Sequence, residues 1–253
     1  ICLENNIKVI IPTIDTELND LSFNYEMFSK ERIHIVISSN DLIKNFSDKI
    51  STYNFFKKIK VNTPKIYKSD DIKFPVFVKP ISGSNSVGVY RASKISELKQ
   101  SDLNSEIMMF SEYIDHNVFD EYTVDMYYDK KSNLICSVPR IRLKVVGGES
   151  NQGLTKKNEV LDFVKKKFKY LEGARGCITL QLFSRSNNPS EILCIEVNPR
   201  FGGGYPFSYN AGADFPDLII KEYILNQKLN YFETWKDNCL NLRYEEEVII
   251  NEK

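Results

Sequence analysis

A two-lobed α/β fold is what this sequence predicts, and three observations carry the prediction. Strand-like and helical runs alternate up to Pro64, and short strands take over after it. In the C-terminal third, two strand-like runs flank a polar loop and lead into a stretch that concentrates a carboxylate, an amide, an arginine and three glycines.

Taken in order, residues 2–6 read as a helix end and 7–11 (IKVII) as a short buried strand. A helix is expected over 17–30, a second strand over 33–38 (IHIVIS), a short helix or turn over 41–46, and a helix over 51–60 that stops before Asn62-Thr63-Pro64. Alternation at this spacing means βα units around a parallel sheet. The first residue is Ile1, inside such a pattern, so the chain reads as a fragment whose earlier βα units are absent. Past Pro64, strands at 74–79 (FPVFVK), 87–92 and 108–114 with a helical stretch at 96–100 make a small α+β lobe. Strands at 122–128 and 134–143, a helix at 158–171 and the hairpin 177–184/191–198 build the larger one. A helix over 216–225 and an edge strand or closing segment over 240–250 complete the chain. No repeat, low-complexity tract or long linker interrupts it.

A chain of 253 residues can bury a substantial core as one large domain or two modest lobes. Its 34 basic and 34 acidic residues cancel, with no basic tail, so neither nucleic acid nor a membrane surface is an expected partner. Cys2, Cys136, Cys177, Cys194 and Cys239 are scattered and form no CxxC pair, which reads as reduced thiols in a cytoplasmic protein. The histidines, His34 and His116, lie far apart, against a histidine-centred triad or a multi-histidine zinc site. No apolar run reaches membrane-spanning length, and no signal peptide is apparent.

The hairpin carries the chemistry. Residues 177–184 (CITLQLFS) and 191–198 (EILCIEVN) flank the turn-rich 185–190 (RSNNPS). Paired antiparallel so that Leu180 opposes Ile195, they place Ile178, Leu182, Leu193 and Val197 on one apolar face. The other face then sets Gln181 beside Cys194, Thr179 beside Glu196 and Cys177 beside Asn198. Gln181 and Glu196 fall on a diagonal of roughly 7–8 Å. One magnesium ion, with ligands at about 2.0–2.1 Å, bridges such a gap. Pro199, Arg200 and Gly202–Gly204 follow at once, as suits a site for polyphosphate at a strand end.

Other segments add to it. After Phe77-Val78-Lys79 comes a loop in which Gly83 and Gly88 permit positive φ and Ser82, Ser84 and Ser86 offer hydroxyls. Such a loop either folds over phosphate with Lys79 as countercharge or is a plain hairpin tip; it is neither a Walker loop nor a dinucleotide fingerprint. Glu112-Tyr113-Ile114 is readable as a hinge whose backbone meets an adenine edge, or as an ordinary strand end, and Glu121 as an acceptor for ribose hydroxyls. Asp125 and Asp129 read as residues of a solvated strand face. Arg140, Arg142 and Lys144 recur at spacing two on one strand face, with Arg142 the strongest candidate for an anion contact. Residues 201–215 (FGGGYPFSYNAGADF) are expected to set specificity; the three glycines leave room for a ligand or merely satisfy a tight turn.

Together these segments resemble the ATP-grasp superfamily, and most of all the carbamoyl-phosphate-synthase large-subunit branch. The glutamine some fifteen residues before Glu196-Val-Asn198-Pro-Arg200 is the specific part. The resemblance implies an ATP-grasp domain over 48–253, with a small lobe at about 70–115 and a large lobe at about 116–253, after a remnant of a pre-ATP-grasp, Rossmann-like domain over 1–47. Asp48-Lys49 followed by Val61-Asn-Thr-Pro64 resembles the family's entry sequence, which implies that Lys49 contacts nucleotide. Lys79, Gly83, Ser84, Ser86 and Gly88 match the phosphate-covering loop, Glu112, Tyr113 and Ile114 the adenine hinge, and Glu121 the ribose acid. Gln181, Glu196 and Asn198 match the metal ligands, and Arg200 the arginine that steadies phosphoryl or acyl-phosphate oxygens; Arg142, read from its strand face, is the second expected catalytic cation. Phe201-Gly-Gly-Gly-Tyr205-Pro206 departs from the serine-rich stretch of the synthases and is similar to single-module relatives.

The implied activity is an ATP- and Mg²⁺-dependent carboxylate–amine (or ammonia) ligase acting through an acyl phosphate, with one or two ions and Mn²⁺ able to substitute. Its implied partners are a small carboxylate and an amine or ammonia, and a homodimer is compatible with the resemblance, since relatives frequently form one. A small-molecule kinase of the same fold, or an ATP-binding regulatory subunit without turnover, are the alternatives.

Overall fold

A computed structural model describes residues 1–83, 87–185, 188–244, 246 and 249, the side chains of 189 and 190 excepted. The expected loop residues Ser84 and Ser86 lie outside the described residues.

The chain opens with the anticipated βα alternation. β1 (Val9–Ile10) and β2 (His34–Ile35) pair in parallel. The single helix expected over 17–30 is two, α1 (Asp15–Phe23) and α2 (Tyr25–Lys30). The break falls at Asn24, whose side-chain amide donates to the Asp20 carbonyl at 2.8 Å and offers the backbone a local alternative to the helix. α1 begins where the Glu17 carboxylate accepts from the N–H groups of Thr13 at 2.8 Å and Ile14 at 3.1 Å. α3 (Asn40–Phe46) starts at a Ser39 cap, and α4 (Lys49–Lys58) at Asp48, which accepts the Ser51 N–H at 2.8 Å. That cap puts Lys49 on the first turn of α4.

Beyond Pro64 the chain forms a small antiparallel sheet from β3 (Ile66–Tyr67), β4 (Val76–Pro80), β5 (Tyr90–Ala92) and β6 (Met108–Glu112), in the order β3-β6-β4-β5. Val76, Val78, Ala92 and Phe110 form its core. The helix expected over 96–100 is a 3-10 turn, Ile95–Glu97, followed by α5 (Gln100–Leu103).

The large sheet is antiparallel throughout. It contains β7 (Phe119–Tyr128), β8 (Leu134–Val146), β9 (Glu149–Thr155), β10 (Gly176–Arg185), β11 (Asn188–Asn198) and β12 (Leu240–Leu242), ordered β11-β10-β7-β8-β9-β12. β9 was not expected, since ESNQGLT lacks an apolar alternation. It forms because Gly147 and Gly148 both take positive φ, 58° and 81°, and turn β8 back on itself.

Period-two alternation positions the site. Tyr122, Val124 and Met126 of β7 and Ile178, Leu180 and Leu182 of β10 face one way, against Leu42 and Phe46 of α3, Phe56 of α4, and Val160 and Val164 of α6 (Glu159–Lys167). Thr123, Thr179 and Gln181 face the other way, toward the small sheet. A second core gathers Tyr205 from α7 (Tyr205–Asn210), Phe215 from α8 (Phe215–Ile219), Tyr223 and Trp235. The helix expected over 216–225 is α8 running into a π-helical turn at Ile220–Ile224. Among the described residues, no helix is long and apolar enough to cross a membrane.

Candidate active site

Between the two sheets lies a cavity of about 630 Å³, walled by Lys79 of β4 and Glu112 of β6 on one side and by Thr123, Arg142, Gln181 and Glu196 of the large sheet on the other.

The hairpin brings the three expected metal ligands to this cavity, in a register different from the one expected. Gln181 stands directly opposite Glu196, and Thr179 opposite Asn198, so the anticipated diagonal is a direct cross-strand pair. Between Gln181 and Leu182 the ladder slips, because Leu182 pairs with Cys194 and leaves Ile195 as an extra residue. This β-bulge reverses the facing of everything before it on β11. Cys194 and Val197 both enter the core under the sheet, while Ile195 and Glu196 both line the cavity. Cys194 is therefore buried away from Gln181, and Ile195 is not an apolar-face residue. Burial raises the pKa of Glu196, and Lys49 and Lys79 partly counter it. Among the described residues no side chain donates a hydrogen bond to that carboxylate. An acidic oxygen held in a polar cleft without a side-chain donor, across the ladder from Gln181 and two residues from Asn198, fits a hard divalent cation. One carboxylate is a low charge for magnesium by itself, which ordinarily completes its shell with phosphate oxygens and water.

Lys49 and Lys79 face the same cavity. Lys49 Nζ donates to the Gly83 carbonyl at 3.0 Å, tying the start of α4 to the base of the small-residue loop. Lys79 is 8% exposed, with its ammonium 5.4 Å from the centre of the Tyr53 ring. Burial pulls its pKa down to about 8; Glu196 works against that shift and Lys49 adds to it. Gly83 and Gly88 take φ of 107° and 74°, the left-handed values anticipated for that loop.

The arginines are arranged differently. Arg142 donates to Glu121 at 2.5 Å, to Gln181 Oε1 at 3.3 Å and to the Gly148 carbonyl at 2.7 Å, joining a predicted catalytic cation to the predicted ribose acid and to a predicted metal ligand. Lys144 does not continue the stripe. The ladder shifts between Arg142 and Lys144, and that side chain is exposed. Arg200 makes a bidentate pair with Asp15 of α1, Nε to Oδ1 at 2.6 Å and Nη2 to Oδ2. The expected adenine hinge lines the cavity as well. The Glu112 carboxylate accepts the Lys65 N–H at 3.2 Å, Tyr113 lies 4.6 Å from the Arg91 guanidinium, and Ile114 is buried.

Asp125 does not sit on a solvated face. It is fully buried and accepts from Arg140 Nη2 at 2.8 Å and Nε at 3.1 Å, with Ser208 donating to it at 2.6 Å and Thr179 at 3.3 Å. The glycine triplet docks on this network. A Cβ at Gly202 would meet the Thr179 hydroxyl at 3.0 Å, one at Gly203 the Glu149 carboxylate at 2.7 Å, and one at Gly204 Arg140 Nη1 at 2.7 Å. The triplet both packs against these side chains and lines the cavity, and none of the three has a positive φ.

A protein-family model described as an ATP-grasp domain matches residues 46–204, more than half of the chain. The chain belongs to the ATP-grasp family. No curated protein sequence matches it significantly. Among solved structures, the biotin carboxylase domain of the Hydrogenobacter thermophilus 2-oxoglutarate carboxylase, in complex with MgADP, ADP and bicarbonate, superposes with a TM-score of 0.72 at 15% identity over 94% of this chain and 58% of that one. The Campylobacter jejuni biotin carboxylase gives 0.68 at 15% identity over 88% and 55%. The L-amino acid ligase of Bacillus licheniformis gives 0.64 at 16% identity over 88% and 57%. The chain thus spans a little over half the length of these ATP-grasp structures, which share its fold.

Within that fold, sequence reasoning missed Asp15 and Tyr53, and it misplaced Asp125 as a solvated acid and Arg140 as a member of an anion-facing stripe, where the two form a buried pair. Asp125 and Arg140 carried a signal, since each lies mid-strand in a run otherwise destined for burial. Asp15 carried none, because its partner is 185 positions away.

Proposed function

We propose that this chain carries the nucleotide site of an ATP- and Mg²⁺-dependent ligase that activates a small carboxylate as an acyl phosphate and passes it to an amine or ammonia. The observation that carries the reading is the convergence of Gln181, Glu196 and Asn198 with Lys49 and Lys79 on one cavity. Family membership supports it, as do structural neighbours whose names include carboxylases and an L-amino acid ligase. The carbamoyl-phosphate-synthase-like subtype rests on the Glu196-Val-Asn198-Pro-Arg200 motif.

Nucleotide enters between the sheets, its base against residues 112–114. Lys49 and Lys79 meet the phosphates, and phosphate restores to Lys79 the full charge that burial disfavours. Gln181, Glu196 and Asn198 would hold magnesium, which would supply charge neutralisation on phosphate oxygens. A carboxylate oxygen attacks the γ-phosphorus, ADP leaves, and the donors of Arg200 and Arg142 stabilise charge as it develops on the transferring group and the acyl phosphate. The amine then attacks the acyl carbon, phosphate departs, and the nitrogen loses a proton. Glu121 takes the ribose hydroxyls, for which Arg142 fixes its position. No side-chain nucleophile is required.

The decisive variant is Glu196→Ala. With ADP release followed across a screen of carboxylates and amines, its Mg²⁺-dependent turnover should fall about a hundredfold or more. Turnover equal to wild type would remove the metal role and the reading with it.

A further inference from the structure

Asp15 lies outside the family match, on the first turn of α1, yet it is the residue that orients Arg200. The guanidinium gives its Nε and Nη2 edge to the two oxygens of Asp15, and Nη1 donates to the Phe201 carbonyl at 3.0 Å. Arginine has five N–H donors in a rigid planar fork. With three committed, the plane is fixed, and one N–H each on Nη1 and Nη2 is left for a ligand. Arg200 lines the cavity and its side chain is 16% exposed, so the remaining donors belong to the site rather than to bulk water. We propose that Asp15 is a positioning residue, through which the N-terminal βα unit sets the orientation of Arg200 toward the phosphoryl group in transfer. The inference rests on the proposed role of Arg200.

Positioning and simple electrostatics predict opposite outcomes. Removing the Asp15 carboxylate makes the cleft more positive, so a purely electrostatic Arg200 would bind an anionic phosphoryl mimic more tightly. If orientation matters, binding weakens, since small misplacements of a catalytic group are costly. Asp15 is 42% exposed at its side chain and caps no buried group, so Asp15→Asn should fold and melt as wild type does.

The test is calorimetric binding of MgADP, with and without aluminium fluoride as the mimic of the transferring phosphoryl group, to wild type, Asp15→Asn, Arg200→Ala and the double variant. We expect MgADP affinity to be unchanged in Asp15→Asn and affinity for the fluoroaluminate complex to fall about tenfold. Arg200→Ala should lose at least as much, and the double variant no more than Arg200→Ala alone. Fluoroaluminate affinity unchanged or increased in Asp15→Asn while Arg200→Ala loses it, or additive losses in the double variant, would overturn the positioning role. An unchanged Arg200→Ala would instead sink the role of Arg200 in the proposed reaction, and failure of wild type to bind MgADP would sink the nucleotide site itself.

Discussion

The two groups of cations in the cleft are held in opposite ways. Arg140, Arg142 and Arg200 each have a carboxylate, from Asp125, Glu121 and Asp15. Lys49 and Lys79 have, among the described residues, a carbonyl and an aromatic ring. A paired buried cation contributes to a rigid wall. An unpaired one is held at a cost in the empty protein, which an anionic ligand relieves. The arginine end is thus built by the fold, and under the proposed function the lysine end is completed by the anion that binds. Guanidinium suits the first task, with its planar donors and permanent charge, and ammonium suits the second.

Three perturbations would sharpen or break this contrast. Asp125→Ala should cost most, about 3–5 kcal/mol in urea unfolding, because it strands a buried guanidinium. A loss under 1 kcal/mol would show that the arginine end is not structural. Lys79→Met should leave stability the same or higher, while nucleotide affinity measured by calorimetry drops by about 1.5–3 kcal/mol, the worth of a charged hydrogen bond. A destabilised Lys79→Met with normal affinity would reverse the assignment. The third perturbation is a change of pH. Since the folded pKa of Lys79 is about 8 against an ordinary 10.5, the unfolded chain binds more protons between those values, and stability should rise with pH across that window. Nucleotide binding near pH 8 should then take up a fraction of a proton, seen as a dependence of binding heat on buffer ionisation, and Lys79→Arg should abolish it.

What the sequence disclosed follows from the range of the forces involved. Strands β4, β6, β7, β8, β10 and β11 were legible because alternation is local, and the shared cavity of Gln181, Glu196 and Asn198 was legible because a short motif brings most of them together. β9 was not, since it depends on Gly147–Gly148 turning β8 back rather than on any pattern of its own. The break at Asn24 depends on one side chain outcompeting helix propensity. Asp125 looked like a surface acid because its neutralising partner, Arg140, sits on the adjacent strand. The hairpin register was misjudged because a regular ladder was assumed, and nothing in CITLQLFS or EILCIEVN announces an irregularity.

That irregularity carries an engineering consequence. Ile195 acts as a spacer between a lower half of β11 that turns Cys194 into the core and an upper half that turns Glu196 to the cavity, and it lets each keep its own phase. Exchanging the isoleucine for another side chain leaves the phase intact. Excising the position would straighten the strand while leaving Cys194 opposite Leu182 and Glu196 opposite Gln181, so the cavity-facing carboxylate tolerates loss of the spacer as well as a change in its identity.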